Sequence, residues 1–346
     1  MQSQPANSSE PKIFPVQIRP LAYLLLGILV TALLATAVLN SGRSPSSVIE
    51  IFATRFLGIF IEAVPFLLLG TLTSGLIEAF IRASDIAHWM PKNRILSVIG
   101  GAFMGLVFPV CECGVVPVAR RLFTKGLPVS VGITFLLAAP FMNPIVFAST
   151  YIAFGFGTIF IARFTITAIV AISIGLVFAL NARPHEVLLP ASLLDDSELT
   201  GIPEPRPKFR QGIGQALTIA SSEFFEMGRY LVMMCLLAAA MQTLVNQQDL
   251  LAVGQGPIIS VLVMQAFAFL LSVCSTVDSF LALAFVNTFT TGSIVAFLSF
   301  GPMVDIKSTM MFLGVFKRRT VFYLILLPFL MNLLAGVLIN LSLGLW

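Results

Sequence analysis

The sequence predicts an all-α polytopic membrane protein, with one N-terminal helix followed by two inverted repeats built from broken helices and re-entrant hairpins. Three observations carry this expectation. Of 346 residues, 58% are hydrophobic and 10% charged, against about 25% charged in a soluble domain. So little charge cannot clothe a soluble surface. The apolar residues fall in runs at about 21–39, 50–81, 95–108, 111–124, 127–154, 157–180, 211–245, 257–273, 275–289, 293–315 and 321–345. One polar linker, 181–210, separates two similar halves.

The first twenty residues are polar and read as a cytoplasmic tail with Lys12 and Arg19 just before the membrane. Residues 21–49 are the first transmembrane helix and its loop. Ala35-Thr36-Ala37 resembles a signal-peptidase site, but the apolar run exceeds an ordinary h-region, so the helix is expected to stay uncleaved. Residues 50–180 form the first repeat and 211–346 the second. The linker between them is rich in Pro and charge, and reads as a cytoplasmic connector.

The halves align at three places. Phe60-Ile61-Glu62 matches Phe224-Phe225-Glu226, Cys111 matches Cys274, and the stretch ending at Asn143 matches that ending at Asp305. All three offsets lie between 162 and 164 residues. Runs 95–108 and 111–124 are about 14 residues each, about 21 Å as helix, against a bilayer core about 30 Å thick. Each adjacent short pair, 257–273 with 275–289 included, is therefore either one long or kinked helix or, the sharper expectation, a re-entrant hairpin. Loop charge supports the hairpin, because Lys and Arg favour the cytoplasm. With hairpins, Lys12, Arg19, Arg82, Lys92, Arg94, Arg120, Arg121, Lys125, Arg183, Arg206, Lys208, Arg210, Lys317, Arg318 and Arg319 fall inside. Only Arg43, Arg55 and Arg163 fall outside.

The first hairpin tip holds Pro109-Val110-Cys111-Glu112-Cys113-Gly114, and the second holds Cys274-Ser275-Thr276-Val277-Asp278. On an α-helix, residues i and i+2 point about 200° apart, whereas in extended chain they share a face. Pro109, Gly114 and Pro117 favour the extended form. Cys111 and Cys113 then form a soft-metal or substrate ligand pair, with Cys274 as a third thiol. The bland alternative is that cysteine packs as a small hydrophobe, which is the expectation for Cys235.

A carboxyl in hydrocarbon is costly to ionise, and so can carry a proton. Glu112, Asp278, Glu62 and Glu226 are the proton-coupling candidates. Arg229, at i+3 from Glu226, offers a purely structural pair. Proline breaks at 138–144 and 300–305 place Asn143 and Asp305 at corresponding sites, where freed backbone must line a cavity or be buried. Both are candidate substrate-binding residues. Lys307 meets Asp305 only if that segment is unwound.

Phe108-Pro-Val-Cys-Glu-Cys-Gly-Val-Val-Pro117, Lys125-Gly126-Leu127-Pro128 and Phe135-Leu-Leu-Ala-Ala-Pro-Phe-Met-Asn-Pro144 resemble the predicted-permease family that includes YraQ and ArsP. The resemblance covers nearly all the chain after the first helix. It implies an efflux permease of the cell inner (plasma) membrane and does not fix the cargo; the family contains exporters of trivalent organoarsenicals and members proposed to export soft metal ions. The second tip carries Cys-Ser-Thr-Val-Asp-Ser rather than a second Cys-Glu-Cys, so the tips are not equivalent ligand sets. The rival expectations are a permease for a small organic or sulfur-containing solute, and a membrane scaffold without transport.

Nothing in the chain points to an enzyme or a cofactor. His88 and His185 lie in loops without zinc-ligand spacing, and no nucleotide or haem motif appears. A net charge of +4 spread over loops gives nucleic acid no footprint. The expected partners are the lipid bilayer and a small thiophilic substrate. Lipid-facing and partner-facing apolar surface share one composition, which leaves a homo-oligomer open.

Overall fold

A computed structural model of the chain describes residues 19–41, 44–81, 85–86, 91, 93–107, 112–181, 187–188, 209–244, 256–286 and 288–343. Within them run α1 (Arg19–Ser41), α2 (Pro45–Phe80), α3 (Arg94–Val107), α4 (Glu112–Thr124), α5 (Val129–Ala138), α6 (Pro144–Phe154) and α7 (Thr158–Asn181). The second half holds α8 (Phe209–Leu244), α9 (Ile259–Leu271), α10 (Asp278–Leu283), α11 (Thr291–Phe300), α12 (Ile306–Leu313) and α13 (Arg318–Leu343). The protein is all-helical and polytopic. Helices α2, α7, α8 and α13 are each long and apolar enough to cross a bilayer.

The element order of α2 to α7 recurs in α8 to α13. Each half runs from a long helix through two short ones and two half-helices to another long helix. Helices α2 and α8 both have 36 residues, and α5 and α11 both have 10. Run 275–289 is helical only over Asp278–Leu283 and continues as turns. Short apolar runs do not distinguish helix from buried turn.

Helices α2 and α8 form the most extensive helix pair. Arg55, early in α2, donates to the carbonyl of Gln242 late in α8. Gly75, late in α2, abuts the carbonyl of Ala216 early in α8. The two equivalent helices therefore run antiparallel, as an inverted repeat requires. In membranes, missing side chains let helix backbones approach closely. A Cβ on Gly70 of α2 would fall on the Cα of Gly114 in α4, which seats α4 closely against α2. In the second half, a Cβ on Gly292 of α11 would strike the carbonyl of Gly336 in α13.

Both proline breaks have explicit caps. Asn143 caps α6, its side chain accepting from the Ile145 N–H at 3.0 Å. Asp305 caps α12 in a reciprocal box: the Ser308 N–H donates to Asp305 Oδ1 at 2.6 Å, and the Asp305 N–H donates to Ser308 Oγ at 2.8 Å. Of the linker, Val187 and Leu188 are described. Both are buried, and they pair with the chain at Phe316 and Lys317, between α12 and α13.

Candidate functional site

Helix α9 stops at Ser272, whose φ of 49° makes it the single non-glycine left-handed residue among those described. That conformation costs a non-glycine residue about 1–2 kcal/mol. Ser272 Oγ also accepts from the Ile306 N–H at 3.2 Å, which ties the second tip to the first turn of α12. The tip then turns through Cys274, whose carbonyl accepts from the Val277 and Asp278 N–H groups. The Cys274 side chain is buried.

Lys307 lies in the first turn of α12, at the positive end of that helix dipole, and is 3% exposed. A buried ammonium there needs carboxylates. It has two: Asp305 Oδ2 at 3.7 Å, from its own cap, and Glu112 Oε1 at 3.5 Å, from α4. Glu112 opens α4, where a carboxylate suits the helix N-terminus. The Lys307–Glu112 pair thus joins the start of α4 in the first half to the start of α12 in the second.

A cavity of about 10 Å³, room for about one water, opens beside this pair. It is lined by Ile59, Glu62, Ala63 and Phe66 of α2 with Glu112, Cys274 and Lys307. Glu62 and Cys274 line the same cavity from opposite halves of the chain. Glu62 Oε1 is buried and finds no hydrogen-bond partner among the described residues. Four residues singled out in the sequence therefore converge from both halves: Glu62, Glu112 and Cys274 on the cavity, and Asp305 behind Lys307. The cation at the centre was foreseen only as a neighbour of Asp305.

Asp278 faces elsewhere. Its carboxylate receives both oxygens' bonds from Arg163 Nη2, at 3.0 and 2.7 Å, and both side chains are buried. Arg163 Nη1 donates to Thr150 Oγ1 at 2.9 Å and Ser279 Oγ at 2.6 Å, and its guanidinium lies 5.6 Å from the Phe141 ring centroid. Arg163, counted from its charge among the few basic residues on the outer side, is fully buried, where it clamps α6 and α7 to the second tip.

Glu226 lies outside the cavity. It sits 3.8 Å from Arg120, not on Arg229 as the i,i+3 spacing suggested; Arg229 Nε donates to its own helix at Phe225 O. The Arg120 pair belongs to a belt across α2, α4 and α8. Arg121 binds Glu223 at 2.7 Å and Glu78 at 3.5 Å, and Lys125 binds Glu78 at 3.1 Å. Asn143 is buried at its cap and is likewise not among the cavity residues. Cys111 lies outside the described residues, and of Cys113 only its place in α4 is described. The extended form expected for the first tip is corrected over its described part: α4 is helical from Glu112 through Gly114 and Pro117, because Pro117 removes one backbone donor near the helix start without ending the helix. No group of three or more His, Cys, Asp or Glu side chains among the described residues is arranged to hold a metal ion.

A family model described as a predicted permease matches residues 48–341. The chain belongs to the predicted permease family. This permease is similar to the UPF0718 protein YcgR of Bacillus subtilis, 45% identical over 272 residues, 78% of this chain and 90% of the relative. It is also similar to the "Putative two-component membrane permease complex subunit" of Streptococcus mutans, 40% identical over 279 residues, 80% of this chain and 90% of the relative. No solved structure matches the chain. Family and fold together make it a multi-pass membrane protein of transporter type.

Proposed function

We propose that the chain is a secondary exporter of the cell inner membrane for a thiophilic species, either a soft metal ion or a trivalent organoarsenical, driven by exchange for protons. The observation that carries this reading is the meeting of both halves at the cavity of Glu62, Glu112, Cys274 and Lys307. Secondary transporters place cargo sites at such repeat interfaces, on interrupted helices.

In this reading Cys111 and Cys113 of the first half and Cys274 of the second supply the thiols that bind the cargo. For a soft metal ion, each thiol gives up its proton as the metal–sulfur bond forms. Glu62 and Glu112 take those protons. For an organoarsenical dihydroxide, the thiol protons leave with the arsenic-bound hydroxyls as water. Three acids (Glu62, Glu112 and Asp305) surround one ammonium, so the site holds more carboxyls than Lys307 neutralises. The surplus can hold protons when cargo is absent and lose them when a cation arrives. Asn143 and Asp305 keep the broken helices in register around the site. Asp278 and Glu226 serve as anchoring acids in this reading, through Arg163 and Arg120.

The test is export from everted vesicles loaded by wild type and by the Cys111→Ser/Cys113→Ser variant at matched expression. Loss of trivalent methylarsenite or soft-metal uptake, together with loss of cellular resistance, supports the reading. Unchanged uptake of every thiophilic cargo would refute it and would favour the small organic solute. The name of the Streptococcus mutans relative further suggests a second subunit for this chain, to be sought by co-purification under the same expression conditions.

A further inference from the structure

One arginine within a membrane helix, Arg229, meets neither an acid nor a carbonyl of another helix among the described residues. Among the described residues Arg120, Arg121 and Arg163 each have a carboxylate, and Arg55 has the Gln242 carbonyl. Arg229 is exposed, and its one described bond is to Phe225 O of its own helix. It opens into a cleft of about 460 Å³ between α1 and α8, lined by Gly27, Val30 and Thr31 on one side and Val232, Met233 and Leu236 on the other. A guanidinium among apolar side chains costs several kcal/mol unless an anion or a headgroup meets it.

The order of polarity along the cleft identifies what meets it. Glu223, six residues before Arg229, belongs to the belt that also holds Glu78, two residues from the end of α2. Arg229 thus starts about 9 Å deeper than the belt, and helical side chains lean back toward the N-terminus. Its Nε reaches back toward the belt as far as Phe225 O, while Val232, Met233 and Leu236 continue along the helix away from it. One end of the cleft is cationic and the rest is apolar, as in basic pockets between helices that hold acidic lipid headgroups. Gly27 widens it, since a Cβ there would meet no heavy atom within 4 Å.

We propose that the α1–α8 cleft is a binding site for an anionic phospholipid of the leaflet on the belt side, with its phosphate on Arg229 and an acyl chain along Val232, Met233 and Leu236.

The experiment is native mass spectrometry of the full chain, delipidated in detergent and titrated with dioleoylphosphatidylglycerol or dioleoylphosphatidylcholine. Wild type should retain the anionic lipid about fivefold better, the worth of one basic side chain beside an acidic lipid. Arg229→Gln should remove that preference and Arg229→Lys should keep it. Gly27→Leu, which fills the cleft, should lower retention of both lipids, and it decides the question if Arg229→Gln fails to express. Equal retention of the two lipids by wild type, or full retention by Gly27→Leu, would overturn the proposal. So would an Arg229-dependent bound species that proves to be a protein chain.

Discussion

Lys307 Nζ and Glu112 Oε1 lie 3.5 Å apart, and the two residues come from opposite halves of the chain. The contact joins the N-terminal turn of α12 to that of α4, so two helix ends that the sequence separates share one buried charge pair. Breaking a buried pair from one side costs about 3–5 kcal/mol, because the remaining charge stays buried and uncompensated.

Lys307→Met should therefore lower the melting temperature of the detergent-solubilised protein and abolish export. The Lys307→Met/Glu112→Gln pair should recover most of the stability and none of the export. Thermal unfolding of the four members of that cycle checks it. Additive losses would show that the two side chains do not interact.

Arg163 and Asp278 form a second buried pair, away from the cavity. Asp278→Asn leaves Arg163 uncompensated and should cost about 3–5 kcal/mol of stability. Arg163→Met/Asp278→Leu should restore stability and export together. If the double variant is stable but inactive, Asp278 has a role in transport beyond its clamp.

The sequence located most helices to within a few residues because bilayer thickness constrains their length. Run 95–108 became Arg94–Val107, and run 157–180 became Thr158–Asn181. Glu62, Glu112, Asp305 and Cys274 stood out because such groups are rare in hydrocarbon. Their convergence on Lys307 did not, because it depends on how the halves dock. The Arg163–Asp278 pair was not legible for the same reason, the two residues being 115 apart in sequence. The Glu226–Arg229 expectation failed because an i,i+3 spacing permits a pair without requiring one, and Arg120 of α4 lies across from Glu226 instead.

Backbone contact between α2 and α4 at Gly70 and Gly114 leaves no space for a side chain. Gly70→Val should displace α4, reducing both folded yield and export. Gly58→Ala, on the same helix with nothing within 4 Å of the added Cβ, should be neutral. Size-exclusion profiles of the two variants separate the outcomes, and a normal Gly70→Val profile with full export would refute the close approach.

The inverted-hairpin topology puts Lys125 and Thr291 on opposite sides of the membrane. Single cysteines at these positions, in a chain with Cys111, Cys113, Cys235 and Cys274 replaced by Ser, should react with a membrane-impermeant maleimide from opposite faces. Labelling from one face would exclude that topology.

The most direct test of the account is simultaneous measurement of cargo and proton movement in proteoliposomes, with a pH dye trapped inside and a soft metal ion gradient as the driving force. Wild type should move protons against the cargo, and Glu62→Gln or Glu112→Gln should uncouple or stop that exchange, while Glu226→Gln leaves it intact. Cargo flux with unchanged proton counterflow in both Glu62→Gln and Glu112→Gln would contradict the claim that the cavity of Glu62, Glu112, Cys274 and Lys307 is the transport site.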